Sequence, residues 1–368
     1  MAKVLTTLLL GVLPFCTIGQ AAADGRLIKP SNPQLHYGGR WVKPNSYQYR
    51  VGRGAAYIKA NFTGDSIGAR IIDKGQAIFW RVQIDNGEAR RFRATANFTS
   101  LGTKLGQGPH SLLLERDTEG SAGLTEFLGL ELAADGKILP GPKLLPRQLE
   151  FLGDSITAGA FALGPRRPTG NEFEDFMAVE SSYLAFGPLL ARKLGAEYSV
   201  IASSGEGVVH NSQEPELTVG NHAVDNYLRT YFSQKLPLWQ ETGPEPDAVI
   251  LNHGTNDFIG TFKPTPAEFT AGYQHLLTVI RSKHPKSTII CLGVFPYDKY
   301  LLTEPLIAKA VQAVRAAGDK KVYQVSVNGT KPFLAASDFA GDAEHPLALG
   351  HEKLAEVLRP RIAKILHW

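Results

Sequence analysis

The chain has 368 residues, of which 43% are hydrophobic and 20% are charged, and its formal net charge is +4. This length is sufficient for two domains of ordinary size, and the composition is typical of a soluble globular protein. The charge is small and the basic residues are scattered, which argues against a nucleic-acid partner.

The amino terminus predicts a signal peptide over residues 1–23. Met1-Ala2-Lys3 is a basic start, an apolar run follows from Val4 to Phe15, and Ala21-Ala22-Ala23 offers small residues for cleavage. The apolar run is too short to span a membrane as a helix. We therefore expect a secreted or periplasmic protein with no membrane attachment after cleavage. Its remaining cysteine, Cys291, has no partner for an internal disulfide.

Residues 24–147 have the pattern of a β-sandwich. Short runs of alternating hydrophobicity predict strands at 56–62, 67–72, 77–84 and 110–115, and turn signals such as Asp85-Asn86-Gly87 separate them. No helical period is present. Short strands at this spacing indicate an all-β sandwich, and the proline-rich stretch near 140–147 indicates a linker after it.

Residues 148–368 alternate strand and helix patterns. Apolar strand-like runs occur at 149–152, 198–202, 248–251, 288–295 and 321–327. Helical spacing predicts helices near 269–280 and 306–314, and a last helix that begins after Gly350 and kinks or restarts at Pro360. The alternation predicts an α/β domain whose parallel sheet is covered by helices on both faces. The site of such a domain lies beyond the carboxyl ends of the strands.

Three of the predicted strand ends carry residues suited to acyl transfer. Gly153-Asp154-Ser155 places a serine at a turn into a helix, where free backbone N–H groups favour negative charge. Gly205 lets the next loop approach a ligand, and Asn256 offers an amide donor for an oxyanion. Each feature alone is common in turns and helix caps, so their combination carries the weight.

His345, near the carboxyl terminus, is a candidate general base, and Asp342 can accept a hydrogen bond from its other ring nitrogen. A lone histidine before a proline is usually just a loop residue. The chain has no G-x-S-x-G turn, so the common lipase-type nucleophile elbow is not the template. It also lacks an H-E-x-x-H motif, and we expect no metal site and no cofactor.

The order of these blocks over residues 148–368 resembles that of the SGNH or GDSL hydrolases. The blocks are Gly-Asp-Ser-Ile-Thr at 153–157, Gly205, Gly-Thr-Asn-Asp at 254–257, and Asp342 with His345. The resemblance implies a flavodoxin-like domain in which Ser155 is the nucleophile, His345 the base and Asp342 the acid that orients it. It also implies an oxyanion hole formed by Ser155, Gly205 and Asn256.

The N-terminal half resembles that of carbohydrate esterase family two. His36-Tyr37-Gly38-Gly39-Arg40-Trp41 and Gly108-Pro109-His110-Ser111-Leu112 carry this likeness. The family joins a jelly-roll β-sandwich to an SGNH domain and removes acetyl groups from sugars, commonly xylan. The resemblance implies a secreted esterase of acetyl xylan esterase type, acting on xylan or a related glycan. Some members use a Ser–His dyad, whereas Asp342 implies a full triad here. His253 replaces the family's usual leucine-like residue.

Other functions stay open from the sequence alone. The same triad occurs in lipid esterases and thioesterases. A chain that lacks activity would be a glycan-binding module. Acetylated peptidoglycan or exopolysaccharide fits the sequence as a substrate as well as xylan does. We expect a monomer.

Phe258 and Tyr297 suit either stacking on a sugar or capping the core, and residues 164–182 are expected to form a solvated loop. Six sandwich aromatics are expected mainly in the core or between domains: Tyr37, Trp41, Tyr47, Tyr49, Phe79 and Trp80.

Overall fold

The computed structural model of the chain describes residues 25–95, 97–212, 214–215, 220–241 and 243–368. The predicted signal peptide therefore lies outside the described residues. Within these ranges no helix combines the length and the apolar character needed to cross a membrane. The described chain forms a β-sandwich followed by an α/β domain, in the order that the sequence predicts.

The N-terminal half consists of antiparallel strands. One sheet has the order β3-β4-β11-β6-β9, with β1 also paired to β11, and the other has the order β2-β5-β10-β7-β8. Buried residues of both sheets share one apolar core, which makes the pair a sandwich. The strands are β1 (Arg26–Ile28), β2 (His36–Gly38), β3 (Trp41–Asn45), β4 (Gln48–Val51), β5 (Tyr57–Thr63), β6 (Ser66–Gly75), β7 (Trp80–Ile84), β8 (Arg90–Phe92), β9 (Thr99–Thr103), β10 (Pro109–Arg116) and β11 (Gly123–Leu132).

Most of the sandwich aromatics belong to its core. Trp41, Tyr49 and Trp80 are buried there, and Tyr37 and Phe79 pack against them half-buried. Of the six aromatic residues, only Tyr47 is largely exposed. The aromatic residues thus stabilise the sandwich rather than forming an open platform.

The second half contains a parallel sheet with the order β13-β12-β14-β15-β16. This is the flavodoxin-like order, in which the first strand of the domain is flanked by the second and the third. The strand predicted over 288–295 ends earlier, at Leu292, and the chain then turns toward the next helix. The strands are β12 (Arg147–Gly153), β13 (Ala196–Ala202), β14 (Ala248–Asn252), β15 (Thr288–Leu292) and β16 (Val322–Val325).

Helices cover both faces of this sheet. Ile250 faces α3 and α7, whereas its neighbours Val249 and Leu251 face α5 and α6, as the period of two in a strand requires. Cys291 is buried on the second of these faces. The helices are α1 (Ser155–Ala158), α2 (Glu172–Val179), α3 (Phe186–Leu194), α4 (Ala223–Leu228), α5 (Pro266–Lys283), α6 (Tyr297–Ala316) and α7 (Ala348–Leu366).

Helix α7 differs from its prediction in two ways. It begins at Ala348, two residues before Gly350, and it continues through Pro360 without interruption. Pro360 lies on the exposed side of the helix, so the carbonyl that loses its N–H partner is on the side open to water.

The two domains share a buried polar interface. Arg53 of the sandwich is 1% exposed, and its guanidinium donates to Asn226 Oδ1 at 2.5 Å and to the carbonyls of Asn226 and Arg229 at 2.8 and 3.0 Å. At the amino end of β13, Tyr57 Oη donates to the Glu197 carboxylate. A buried charge is costly unless it is paired, so these contacts fix one arrangement of the two domains.

Candidate active site

Ser155 is the first residue of α1, directly beyond the carboxyl end of β12. The helix is capped by Asp154, whose Oδ1 accepts the Ile156 N–H at 3.0 Å. Burial raises the pKa of Asp154 to about 7. Asp154 therefore stabilises the turn that presents Ser155. The hydroxyl of Ser155 is hydrogen-bonded to a different residue, His345.

Ser155, His345 and Asp342 form one hydrogen-bonded chain. His345 Nε2 lies 2.8 Å from Ser155 Oγ, and His345 Nδ1 lies 2.7 Å from Asp342 Oδ2. Partial burial raises the pKa of Asp342, but hydrogen bonds from His345 and from backbone N–H groups outweigh burial and lower this pKa to about 2. An ionised Asp342 accepts the Nδ1 proton, which leaves the Nε2 lone pair facing the serine hydroxyl.

The loop that carries the histidine is closed by backbone hydrogen bonds. The Ala340 N–H donates to the His345 carbonyl at 2.9 Å, and the Ala348 N–H donates to the Ala162 carbonyl at 2.9 Å. The second bond joins the start of α7 to the segment after α1. The loop bearing His345 is thereby tied to the segment that follows Ser155.

Phe161 is a site residue that the sequence analysis missed. Its ring stacks on the imidazole of His345, and Phe176 packs edge-on against it. Phe176 belongs to α2, so the expected solvated loop over 164–182 contains a helix. Asn171 starts that helix by accepting the Glu174 N–H at 3.1 Å. The Asn-x-x-Glu cap was a readable signal for α2, whereas nothing local distinguishes Phe161.

The predicted oxyanion donors lie on neighbouring loops. Within the described residues, the backbone N–H groups of Ser155 and Gly205 have no hydrogen-bond acceptor. Gly205 has φ +78, a left-handed conformation that suits glycine. Asn256 Nδ2 donates to the Glu206 carbonyl at 2.9 Å, which uses one of its two protons. The other proton of the Asn256 amide remains for a ligand.

Asp257 supports the far side of the Gly205 loop. Its carboxylate accepts the N–H groups of Val208, Val209 and His210 at 3.0, 2.8 and 3.3 Å. Gly207 passes close by, and a Cβ there would lie 1.9 Å from the His210 carbonyl oxygen. Asp257 is thus a structural member of the Gly-Thr-Asn-Asp block.

His253 is completely buried behind the site. Burial lowers its pKa to about 3, and burial raises the pKa of Glu206 to about 8. His253 Nε2 lies 3.8 Å from Glu206 Oε2. With both groups neutral near pH 7, this approach is a contact between neutral side chains rather than an ion pair.

The two predicted sugar contacts occupy different environments. Phe258 is 8% exposed and packs against Phe269 in the core, 5.3 Å between ring centroids, so it caps the core. Tyr297 is half-buried, and its ring stacks on that of Tyr300. Of this pair, only Tyr297 is partly exposed to solvent. No cluster of three or more potential metal-ligating side chains occurs in the described ranges.

Two protein families match the chain in tandem. The family "Carbohydrate esterase 2 N-terminal" matches residues 37–142, and the "GDSL-like Lipase/Acylhydrolase family" matches residues 151–353. The first range covers the sandwich from β2 onward, and the second covers the α/β domain from Phe151 in β12 to Lys353 in α7.

Individual proteins resemble the chain over both domains. The "Cellulase/esterase CelE" of Acetivibrio thermocellus is 30% identical over 94% of this chain, which spans 41% of that protein's length. An "Acetylxylan esterase / glucomannan deacetylase" of Cellvibrio japonicus is 27% identical, over 88% of this chain and 89% of its own. A solved family two carbohydrate esterase from Clostridium thermocellum, in complex with cellohexaose, matches with a TM-score of 0.80 and 28% identity. That match covers 91% of this chain and 99% of the other.

Proposed function

Since this chain belongs to the GDSL-like lipase and acylhydrolase family of serine-type ester hydrolases, with a carbohydrate esterase 2 N-terminal domain, we propose that it removes O-acetyl groups from a polysaccharide. The observation that carries the proposal is the continuous hydrogen-bonded chain Ser155–His345–Asp342. The acetylxylan esterase and glucomannan deacetylase relative supports xylan or glucomannan as the substrate. The sequence of residues 1–23 supports export.

In the proposed reaction, Ser155 Oγ attacks the acetyl carbonyl carbon while His345 Nε2 takes the hydroxyl proton. Asp342 stabilises the imidazolium that forms. The oxyanion accepts hydrogen bonds from the N–H of Ser155, the N–H of Gly205 and the free amide proton of Asn256.

The first tetrahedral intermediate collapses when His345 returns the proton to the sugar oxygen. The glycan hydroxyl then leaves and an acetyl ester remains on Ser155. Water attacks this ester with His345 again acting as base, and collapse of the second intermediate releases acetate and restores the serine. The proton of Ser155 and one proton of the attacking water pass through His345, and the other water proton leaves with the acetic acid.

Acetate release from a panel of esters tests the proposal. The panel contains acetylated xylan, acetylated glucomannan, simple sugar acetates and aryl esters of increasing acyl length. We expect acetate from the polysaccharides and a strong preference for acetyl over longer aryl esters. Ser155→Ala should abolish the reaction while leaving the melting temperature near that of the wild type.

Three outcomes would contradict the proposal. A preference for long acyl chains would indicate a lipid esterase or thioesterase. Glycan binding without acetate release by the wild type would indicate a binding module. Wild-type rates in Ser155→Ala would remove the serine from the mechanism.

A further inference from the structure

The turn between β10 and β11 carries two buried carboxylates across the domain boundary. Asp117 and Glu119 are at most 2% exposed, and both accept hydrogen bonds from the α/β domain. Asp117 Oδ1 accepts from Ser181 Oγ at 2.7 Å and from the Tyr183 N–H at 3.1 Å. Buried carboxylates are costly unless they are well paired, so this turn is built to hold specific groups of the other domain.

Glu119 holds one residue of the other domain through two hydrogen bonds. Its Oε2 accepts from the backbone N–H and from the hydroxyl of Ser204, each at 2.8 Å. Its Oε1 accepts from Ser121 in the same turn. The backbone N–H of Glu119 donates to Glu180 Oε1 at 2.6 Å. The carboxylate is therefore fixed by its own domain and by the α/β domain together.

Ser204 directly precedes Gly205 in the loop after β13. On the amino side of Gly205 the backbone bonds are longer, since the Ser203 N–H donates to the Gly153 carbonyl at 3.3 Å. On its other side, the Ser212 N–H donates to the Gly205 carbonyl at 2.9 Å. The peptide group that bears the Gly205 N–H joins Ser204 to Gly205. This planar group is therefore held from both sides, by Glu119 through Ser204 and by Ser212 through the Gly205 carbonyl.

We propose that Glu119 of the β-sandwich is a positioning residue for the oxyanion hole, holding Ser204 so that the N–H of Gly205 points at the reacting carbonyl. The inference rests on the proposed esterase function. It makes the sandwich part of the catalytic apparatus, independently of any glycan it binds. A donor displaced by even 1 Å stabilises the transition state much less than one in place.

The test compares kcat and KM of Glu119→Ala and Glu119→Gln on p-nitrophenyl acetate, a small substrate that contains no sugar. We expect Glu119→Ala to lower kcat about 10- to 100-fold with KM nearly unchanged, since losing an oxyanion donor costs up to about 10³-fold. Glu119→Gln should stay within about 3-fold of the wild type, because its amide oxygen can accept both Ser204 bonds.

Tyr57→Phe is the matched control, because it removes a sandwich contact to the opposite end of the same strand, β13. It should leave kcat unchanged. Wild-type kcat in Glu119→Ala, an equal loss in Glu119→Gln, or an equal loss in Tyr57→Phe would each overturn the inference. An inactive wild-type enzyme would instead contradict the proposed function.

Two milder variants cover the case in which Glu119→Ala does not fold. Glu119→Asp withdraws the carboxylate by one methylene, and Ser204→Ala removes one of the two hydrogen bonds while keeping the N–H. Each should lower kcat about 3- to 10-fold without raising KM, a partial form of the donor loss. Wild-type kcat in both would overturn the inference.

Discussion

The imidazole ring of His345 stacks on the phenyl ring of Phe161, with centroids 4.9 Å apart and ring planes 28° from parallel. Phe161 has φ +60, a conformation that favours glycine, and a non-glycine residue persists there only where its surroundings hold it. Phe176 provides such a contact, with ring centroids 5.5 Å apart. The proposed catalytic base, His345, is therefore restrained on two sides, by Asp342 at Nδ1 and by Phe161 across its face.

Phe161→Ala should lower kcat about 10- to 100-fold, because the imidazole gains freedom to leave its line with Ser155 Oγ. Phe161→Tyr should retain most of the activity, since it keeps the ring. The comparison uses steady-state kcat values of the wild type and both variants, measured below the melting temperature of each protein. Wild-type kcat in a folded Phe161→Ala would show that Asp342 alone orients the base.

Replacing Asp342 by asparagine should harm catalysis more than replacing it by alanine. The N–H groups of Glu344 and His345 donate to Asp342 Oδ1 at 3.0 and 2.9 Å, so the amide oxygen of an asparagine would take that position. Its NH₂ group would then face His345 Nδ1 and force the ring proton onto Nε2, which removes the acceptor for the Ser155 proton.

We expect Asp342→Asn to lower kcat by about 10³- to 10⁴-fold, and Asp342→Ala by about 10-fold less than that, since water can then serve Nδ1. The two kcat values on an aryl acetate decide the matter. Equal activities, or a more active Asp342→Asn, would contradict the assignment of Asp342 Oδ1 as the fixed acceptor.

Asn256→Ala should lower kcat by about 10²- to 10³-fold while KM changes little, because the free amide proton is used mainly in the transition state. Asn256→Asp has nearly the same shape but lacks a donor when ionised, so it should be at least as impaired. A pure rise in KM would assign Asn256 to substrate positioning instead.

Glu206 should make the stability of the protein depend on pH. Burial raises its pKa from 4.5 to about 8. Between these values the folded protein keeps a proton that the unfolded chain releases. The stability that this proton confers is complete below pH 4.5, falls as pH rises, and is lost above about pH 8.

Glu206→Gln keeps the uncharged shape at every pH and should remove this dependence. Its melting temperature should match that of the wild type at pH 4.5 and exceed it by about 3 °C or more at pH 9. Glu88→Gln, at an exposed turn of the sandwich, is the control. Its melting temperature should differ from that of the wild type by the same amount at pH 4.5 and at pH 9. A constant difference between Glu206→Gln and the wild type would refute the raised pKa.

The sequence was sufficient to predict that Ser155, Asn256 and His345 lie at one edge of one sheet. Ser155 and Asn256 follow parallel strands, whose carboxyl ends share an edge. The placement of His345 beside them was implied by the resemblance of the four blocks to the SGNH or GDSL hydrolases. The sandwich and the parallel sheet were predictable because hydrophobic periodicity reports which faces are buried. The flavodoxin-like strand order was implied by the resemblance to the SGNH hydrolases.

The supporting residues were not predictable in this way. Glu119 occurs in a turn of the other domain, where an acidic residue ordinarily meets water, and only the tertiary packing brings it to Ser204. Phe161 is one aromatic residue among many, and its role depends on the distant loop of His345. The sequence left Phe258 open between a sugar contact and a core position, and only the tertiary packing shows that it is buried in the core.

The arginine that crosses the domain boundary also bears on how such enzymes are inherited. Without Arg53, the carbonyls of Asn226 and Arg229 would lose their buried donor, so an α/β domain copied alone would inherit an incomplete surface. We therefore expect the two domains to be inherited together as one unit. The similarity to the cellulase/esterase fits such a unit, since it runs across both domains here yet spans only 41% of that longer chain.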